Sequence, residues 1–428
     1  MFKALARLAS SLGAPRNPAP QDDAGPGGMP IVVSQSAFDA YPDDSYPLVA
    51  NLIDYVNTLT HRGRYNRAEI PPRAMQAFHM DYYLAQVNNG GHAQFVHNCG
   101  ANMGVTLADI RAGMDAADAG DHLLLVDALD VWLETYPDEA AKQTGFEGGI
   151  APVMKNLDHM FYGLEADGSL GEMIAGLIAD APELLVVPDH ELESARQRLC
   201  AANPHLAERE RIFTVAGLNA QMTDPFQAAL SLAAGRVQPV APILKIGNGA
   251  YQEVEGCQQM CFFVQTTAGN RWAVMRDDGL ALHERIDHKN PDMPENPLEA
   301  SMEQISDWKS PEVGAKLSYV AHTDVEPAVA LAQRLRAGAA IDLLLSRLVE
   351  PPHVDRITVR SAGPDAEGEL GLSLLLVLNN GTQAMSAVVT ETAAKLLLEP
   401  SHHEAVKVAR VHIDAHADRY ALDRLLQS

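Results

Sequence analysis

The chain has 428 residues, 47% of them apolar, and 56 Asp plus Glu against 32 Lys plus Arg give a formal net charge of −24. That apolar content excludes a disordered acidic chain, and the length is enough for two or three cores. A surface this negative repels nucleic acid and anionic membranes and attracts basic partners, so we expect no direct nucleic-acid binding and no membrane partner.

The acid excess is uneven. Residues 31–205 hold 25 acids and 9 bases, net −16, whereas residues 206–428 hold 29 and 20, net −9. Four cysteines (Cys99, Cys200, Cys257 and Cys261) are too few and scattered for a disulfide framework and fit a reducing cytoplasm. No run approaches 18 consecutive apolar residues, so no membrane-spanning helix is expected. The opening MFKALARLASSLGA is interrupted by Lys3 and Arg7 and reads as a short amphipathic helix rather than a signal peptide. Residues 14–30, rich in Pro and Gly, read as a flexible linker, so residues 1–30 form a tail.

A first helix is expected over Leu48, Leu52, Val56 and Leu59, capped by Ser45 with Pro47 in its first turn. Pro71-Pro72 starts a second, apolar at Met75, Phe78, Tyr82 and Val87. Asn88-Asn89-Gly90-Gly91 should then break it, because glycine loses the most freedom in a helix and accepts left-handed backbone. Phe95, Val96 and Cys99 restart the apolar face, giving helix, NGG corner, helix. The alternative is an Asn-Gly hairpin, against which neither flank alternates with period two. Backbone N–H groups at the corner could face an anion. Gln86 and Gln94 flank the corner, where their amides could satisfy backbone groups freed by the break.

Gln86, Val87, Asn89, Gly90, Gly91, Gln94 and Phe95 compose the motif Q-V-x-N-G-G-x-x-Q-F. This motif resembles the signature of a bacterial DNA-mimic family otherwise labelled a domain of unknown function, over about residues 31–205. The resemblance implies an acidic, all-helical domain that forms a homodimer and binds a basic DNA-binding protein, such as a transcription factor, in place of DNA. The motif residues would then be structural or contact the partner.

Further on, Thr106 and Asp109 read as a capping pair, Gly120 as a helix end and Asp121 as the next cap. The following helix carries Leu124, Leu125, Leu129, Trp132 and Leu133, and three more are expected near residues 151–162, 170–179 and 190–201. Asp127, Asp130 and Glu134 fall at i, i+3 and i+7 on one helical stripe, with Asp115, Asp118 and Asp121 around the turn before it. Carboxylates spaced about 5–6 Å apart on a helix can stand in for a row of phosphates and engage Arg and Lys that otherwise contact the DNA backbone. A solvated amphipathic helix gives the same pattern. These six residues are the candidate acidic binding face.

Past residue 205 the pattern changes. A helix near residues 225–234 leads into short apolar runs separated by Gly247-Asn248-Gly249, Ala268-Gly269-Asn270 and Asp277-Asp278-Gly279, which read as an antiparallel meander. Residues 287–300 read as a loop. Thr323-x-x-Glu326 opens a long helix to about residue 348. Residues 370–378 and 382–389 around Asn379-Asn380-Gly381 form a hairpin. A strand at 405–413 and a helix at 414–426 close the chain, and no internal repeat is evident. The fold class is therefore multidomain α+β: an all-α domain at 31–205, an α+β domain at 206–320 and another at 321–428.

No phosphate loop, G-x-S-x-G elbow or H-E-x-x-H occurs. His92, His97 and Cys99, the cluster His402, His403, His412 and His416, and the Cys257-x-x-x-Cys261 pair match no familiar metal spacing. We expect no metal, no cofactor and no catalytic residues. The functional reading is a non-enzymatic acidic interaction protein of the cytoplasm, a DNA mimic. The alternatives are an immunity or antitoxin-like inhibitor of a basic toxin, and an enzyme in the C-terminal half.

Overall fold

The computed structural model describes residues 28–144, 149–288, 311–364 and 368–426. The expected N-terminal amphipathic helix, nearly all of the linker and most of the loop at 287–300 lie outside them. The chain divides into two compact units, Met1–Ala207 and Glu208–Ser428. A helical N-terminal half precedes antiparallel sheets, the α+β organisation expected from the sequence.

The first unit is helical apart from one short parallel ladder. Strand β1 (Ile31–Ser34) pairs with β2 (Leu184–Val187) from Ile31↔Leu184 to Ser34↔Val187. Neither four-residue run shows a period that separates strand from helix. Between them lie α1 (Gln35–Ala40), α2 (Tyr46–His61), α3 (Pro72–Cys99), α4 (Met103–Ala116), α5 (Gly120–Thr135), α6 (Pro137–Ala140), α7 (Pro152–Asp167) and α8 (Leu170–Ala179); α9 (Asp189–Ala202) follows β2. Leu48, Leu52, Met80, Ile110, Leu129, Phe161 and Ile174 meet in one core. Arg196 on α9 is buried, and its guanidinium donates to the Asn51 carbonyl (2.7 Å) and the Asn51 side chain (3.0 Å), tying α9 to α2.

Several helix boundaries differ from those read in the sequence. Ser45 occupies the N-cap of α2 but is helical itself and makes no side-chain cap bond. Helix α4 starts at Met103, so Thr106 and Asp109 lie inside it, and both are buried. It ends at Ala116; Gly120 begins α5, and Asp121 sits in the first turn of α5 instead of capping it.

The second unit opens with α10 (Leu206–Thr223), which the sequence pattern did not reveal. It contains the same arrangement twice. Helix α11 (Pro225–Arg236) precedes strands β3 (Ile243–Val254), β4 (Cys257–Thr266), β5 (Gly269–Arg276), β6 (Gly279–Ile286) and β7 (Glu312–Ala321), which form a five-stranded antiparallel meander closed by α12 (His322–Arg334). Helix α13 (Ala337–Leu345) precedes β8 (Val354–Pro364), β9 (Leu370–Leu378), β10 (Gln383–Thr390), β11 (Ala393–Leu398) and β12 (His403–Ala409), a second five-stranded meander closed by α14 (Arg410–Arg419). Each closing helix starts at an alanine in extended backbone: Ala321 at φ −76°, ψ 154° and Ala409 at φ −80°, ψ 155°. The next-to-last residue of each meander is a buried valine, Val320 or Val408, and each closing helix buries a β-branched residue five positions later, Val325 or Ile413. The repeat is one of burial and geometry, and few residue identities are shared.

The single helix expected from Thr323 to about residue 348 is two helices. Arg336 between them is left-handed (φ 52°), its guanidinium donating to the Asp414 carbonyl at 3.1 Å and to the Asp418 carboxylate. Asn219 on α10 accepts from the Gly338 N–H at 3.0 Å and so satisfies the new helix start. The expected strand at 405–413 ends at Ala409, and its last residues belong to α14.

Helix α11 sits so close to β8 that a Cβ on Gly235 would lie 2.0 Å from the Val359 carbonyl oxygen. Gly217, exposed on α10, has nothing within 4 Å of such a Cβ. Replacing Gly235 by Ala should therefore destabilise the second unit by about 1–3 kcal/mol in urea titration. Gly217→Ala should stabilise it by about 0.5–1 kcal/mol through helix propensity alone.

Candidate functional site

The NGG corner is a kink inside α3. Gly90 has φ −158°, ψ 22° and Gly91 φ 76°, ψ −178°, with helix on either side. Helix α7 braces it. The Asp158 carboxylate accepts from the His92 backbone N–H at 2.7 Å and from the His92 ring Nδ1 at 2.7 Å. A carboxylate only accepts, so Nδ1 carries the proton; in the neutral ring Nε2 then accepts the Tyr83 hydroxyl at 2.8 Å. Tyr162 donates to the Val87 carbonyl at 2.9 Å. The anion at this helix start is thus the chain's own Asp158, placed where N–H groups and the helix dipole favour negative charge.

Gly91 is required twice. Its φ is left-handed, and a Cβ there would meet Asp158 Oδ2 at 2.5 Å. Phe95 is fully buried and stacks edge-on against Tyr83, with ring centroids 5.1 Å apart. Phe161 meets Tyr83 and His122 in the same manner, at 5.7 and 5.8 Å. His122 reaches Glu165 at 2.9 Å, and Glu165 also accepts from the Leu170 N–H, tying α5, α7 and α8 together. Burial pushes the Tyr83 hydroxyl far above its ordinary range.

The two glutamines act differently from the sequence reading. The Gln94 amide donates to Gln86 Oε1 at 3.0 Å and Asn98 donates to the same oxygen at 2.6 Å, so they join the two half-helices side chain to side chain. Asn89 is exposed. His97 bonds the Gln143 carbonyl, and burial pushes the Cys99 thiol up to about 12.

The six candidate acidic residues separate into two groups. Arg111 on α4 clamps Asp127 (2.6 Å) and Asp130 (2.5 Å) on α5. Burial raises the Asp130 carboxyl, and neighbouring Glu134 and Asp127 add to this against the pull of Arg111. Asp115, Asp118, Asp121 and Glu134 are exposed, and none of them has a side-chain ion pair or hydrogen bond among the described residues. The Arg111 clamp has no local sequence signal, since 16 residues separate Arg111 from Asp127. Nearby, Asp109 accepts from Arg67 Nε (2.8 Å) and His79 Nδ1 (2.7 Å). Burial alone would raise its carboxyl, but these hydrogen bonds and charges outweigh burial and hold it below the ordinary range.

The remaining candidate clusters are dispersed. His416 pairs with Asp342 at 2.7 Å, while His402, His403 and His412 are exposed. Cys257 is exposed and Cys261 buried, its thiol pushed up to about 11. Among the described residues no group of three or more His, Cys, Asp or Glu is placed to hold a metal ion, and no helix is long and apolar enough to cross a membrane.

A family model described as DMP19-like protein matches residues 68–179, about a quarter of the chain. The match ends with α8 and contains the kink, both groups of acidic residues and, apart from Arg67, the Asp109 cluster. No curated protein and no solved structure gives a significant match.

Gly91→Ala should lower unfolding stability by about 1–3 kcal/mol, through both its backbone conformation and its clash with Asp158. The lowered Asp109 carboxyl contributes stability that is present above the unfolded carboxylate value of about 3.9 and lost as pH falls through the folded value. Asp109→Asn should therefore lower the thermal midpoint at pH 7, and its deficit against the native protein should shrink below about pH 4.

Proposed function

We infer that the helical unit is a non-enzymatic protein-binding domain that imitates nucleic acid and occupies the basic surface of a DNA-binding protein. The observation that carries this reading is the set of exposed carboxylates Asp115, Asp118, Asp121 and Glu134, which have no ion-pair partner among the described residues. The matched segment supports it: residues 68–179 contain 16 acidic and 4 basic residues, net −12. The braced kink supports it as well. A partner that reads phosphate spacing needs carboxylates on rigid helices, and the Arg111 clamp and the Asp158 cap hold α3, α4, α5 and α7 in register.

Within this reading Asp127 and Asp130 shape the surface through Arg111, and the four free carboxylates meet the partner. Opposite-charge steering makes such association fast and sensitive to salt, because the screening length falls from about 10 Å at 0.1 M to about 3 Å at 1 M.

The test is capture of nucleic-acid-binding proteins from lysate by the full chain at low and high salt. Retention should occur at low salt and disappear near 1 M. Combined Asp115→Lys, Asp118→Lys, Asp121→Lys and Glu134→Lys should abolish it with a stability change within about 0.5 kcal/mol, since these are unpaired surface positions. Capture that ignores both salt and the fourfold reversal would refute the assignment.

A further inference from the structure

The second unit contains a groove of about 610 Å³ at the seam between its two repeats. Leu232 and Arg236 of α11, Pro327, Leu331 and Arg334 of α12, and Arg360 of β8 contribute to its lining. Two helices of the first repeat thus face the first strand of the second, a junction that the duplication creates only once. Its size lies within the range of small-molecule sites, and apolar and charged side chains share its lining.

Three guanidinium groups in one apolar groove are unusual in a chain of net charge −24. Each already has a carboxylate partner. Arg236 donates to the Tyr319 carbonyl (2.9 Å) and to Asp324 (3.0 Å). Arg334 faces Glu391 at 3.3 Å, and Arg360 donates to Ser386 (2.7 Å) and Glu399 (2.9 Å). These bonds use only part of the five N–H donors of each group. Three cations against three carboxylates leave little net field, so the groove offers oriented donors instead of bulk positive charge. That arrangement suits one oxyanion on an apolar body and disfavours a polyanion, which Asp324 in the lining would repel.

We propose that this seam groove binds a small amphiphilic carboxylate, with its head on the Arg236, Arg334 and Arg360 donors and its apolar body over Leu232, Pro327 and Leu331. This site is separate from the acidic surface of the helical unit and does not depend on the reading given for that surface. Because its arginines are already paired, binding here tolerates salt, unlike association through free carboxylates.

The experiment is calorimetric titration of the full-length protein with octanoate, octanol and inorganic phosphate at low and high salt. Octanoate should bind saturably at one site with less than a threefold change in affinity between the two salt conditions, and octanol and phosphate should each bind at least tenfold more weakly. Arg334→Gln tests the head group; this side chain is 53% exposed and its partner Glu391 49%, so the fold does not depend on the pair. Ala330→Trp, on the exposed face of α12, tests the space by filling the groove from outside the core. Each should weaken octanoate at least tenfold with the unfolding transition retained. Equal binding of octanol, equal binding of phosphate, loss of octanoate binding at high salt, or unchanged affinity in both variants would overturn the proposal, as would no octanoate binding at all.

Discussion

The helical unit depends on one contact: the Asp158 carboxylate at the start of the second half of α3, 2.7 Å from the His92 N–H. A helix broken in mid-course exposes N–H groups that must find partners, and in a packed core water cannot supply them. Asp158 fills that role from another helix and simultaneously orients the His92 ring toward Tyr83. Gly91 permits it, because any side chain there would occupy the carboxylate's place. The direction of α3 after the kink, and hence its packing against α4 and α7, follows from this contact.

The same economy of charge shapes the surface. A net −16 over residues 31–205 invites the reading of a uniformly acidic face. The fold divides that charge instead. Asp127 and Asp130 are spent on Arg111, and Asp109 on Arg67 and His79, so these carboxylates hold helices together. Asp115, Asp118, Asp121 and Glu134, where α4 turns into α5 and at the far end of α5, have no ion pair among the described residues. An acidic composition is common among soluble proteins; exposed carboxylates gathered around a helix-helix corner that the Arg111 ion pairs hold are a narrower feature.

Much of this was legible in the sequence. Two glycines between two apolar helical faces gave the kink, and Asn379-Asn380-Gly381 between apolar runs gave the β9–β10 hairpin, because both signals are local and backbone-specific. What failed was long-range. Asp158, 66 residues from His92, could not be paired with it, and Arg111 could not be placed across from Asp127 and Asp130. The repeat in the second unit escaped notice because it preserves burial, as at Val320 and Val408, with little shared identity. The break at Arg336 was missed because a left-handed arginine has no sequence mark; side-chain bonds to Asp414 and Asp418 on α14 accompany it there.

The central claim is that the free carboxylates of the helical unit occupy a nucleic-acid-binding surface. The most direct measurement is displacement: a captured partner, held by the full-length protein at low salt, is titrated with its own duplex DNA while the released fraction is followed. The account predicts mutually exclusive binding, with DNA releasing the partner in proportion to its own affinity. A stable ternary complex of protein, partner and DNA would contradict it.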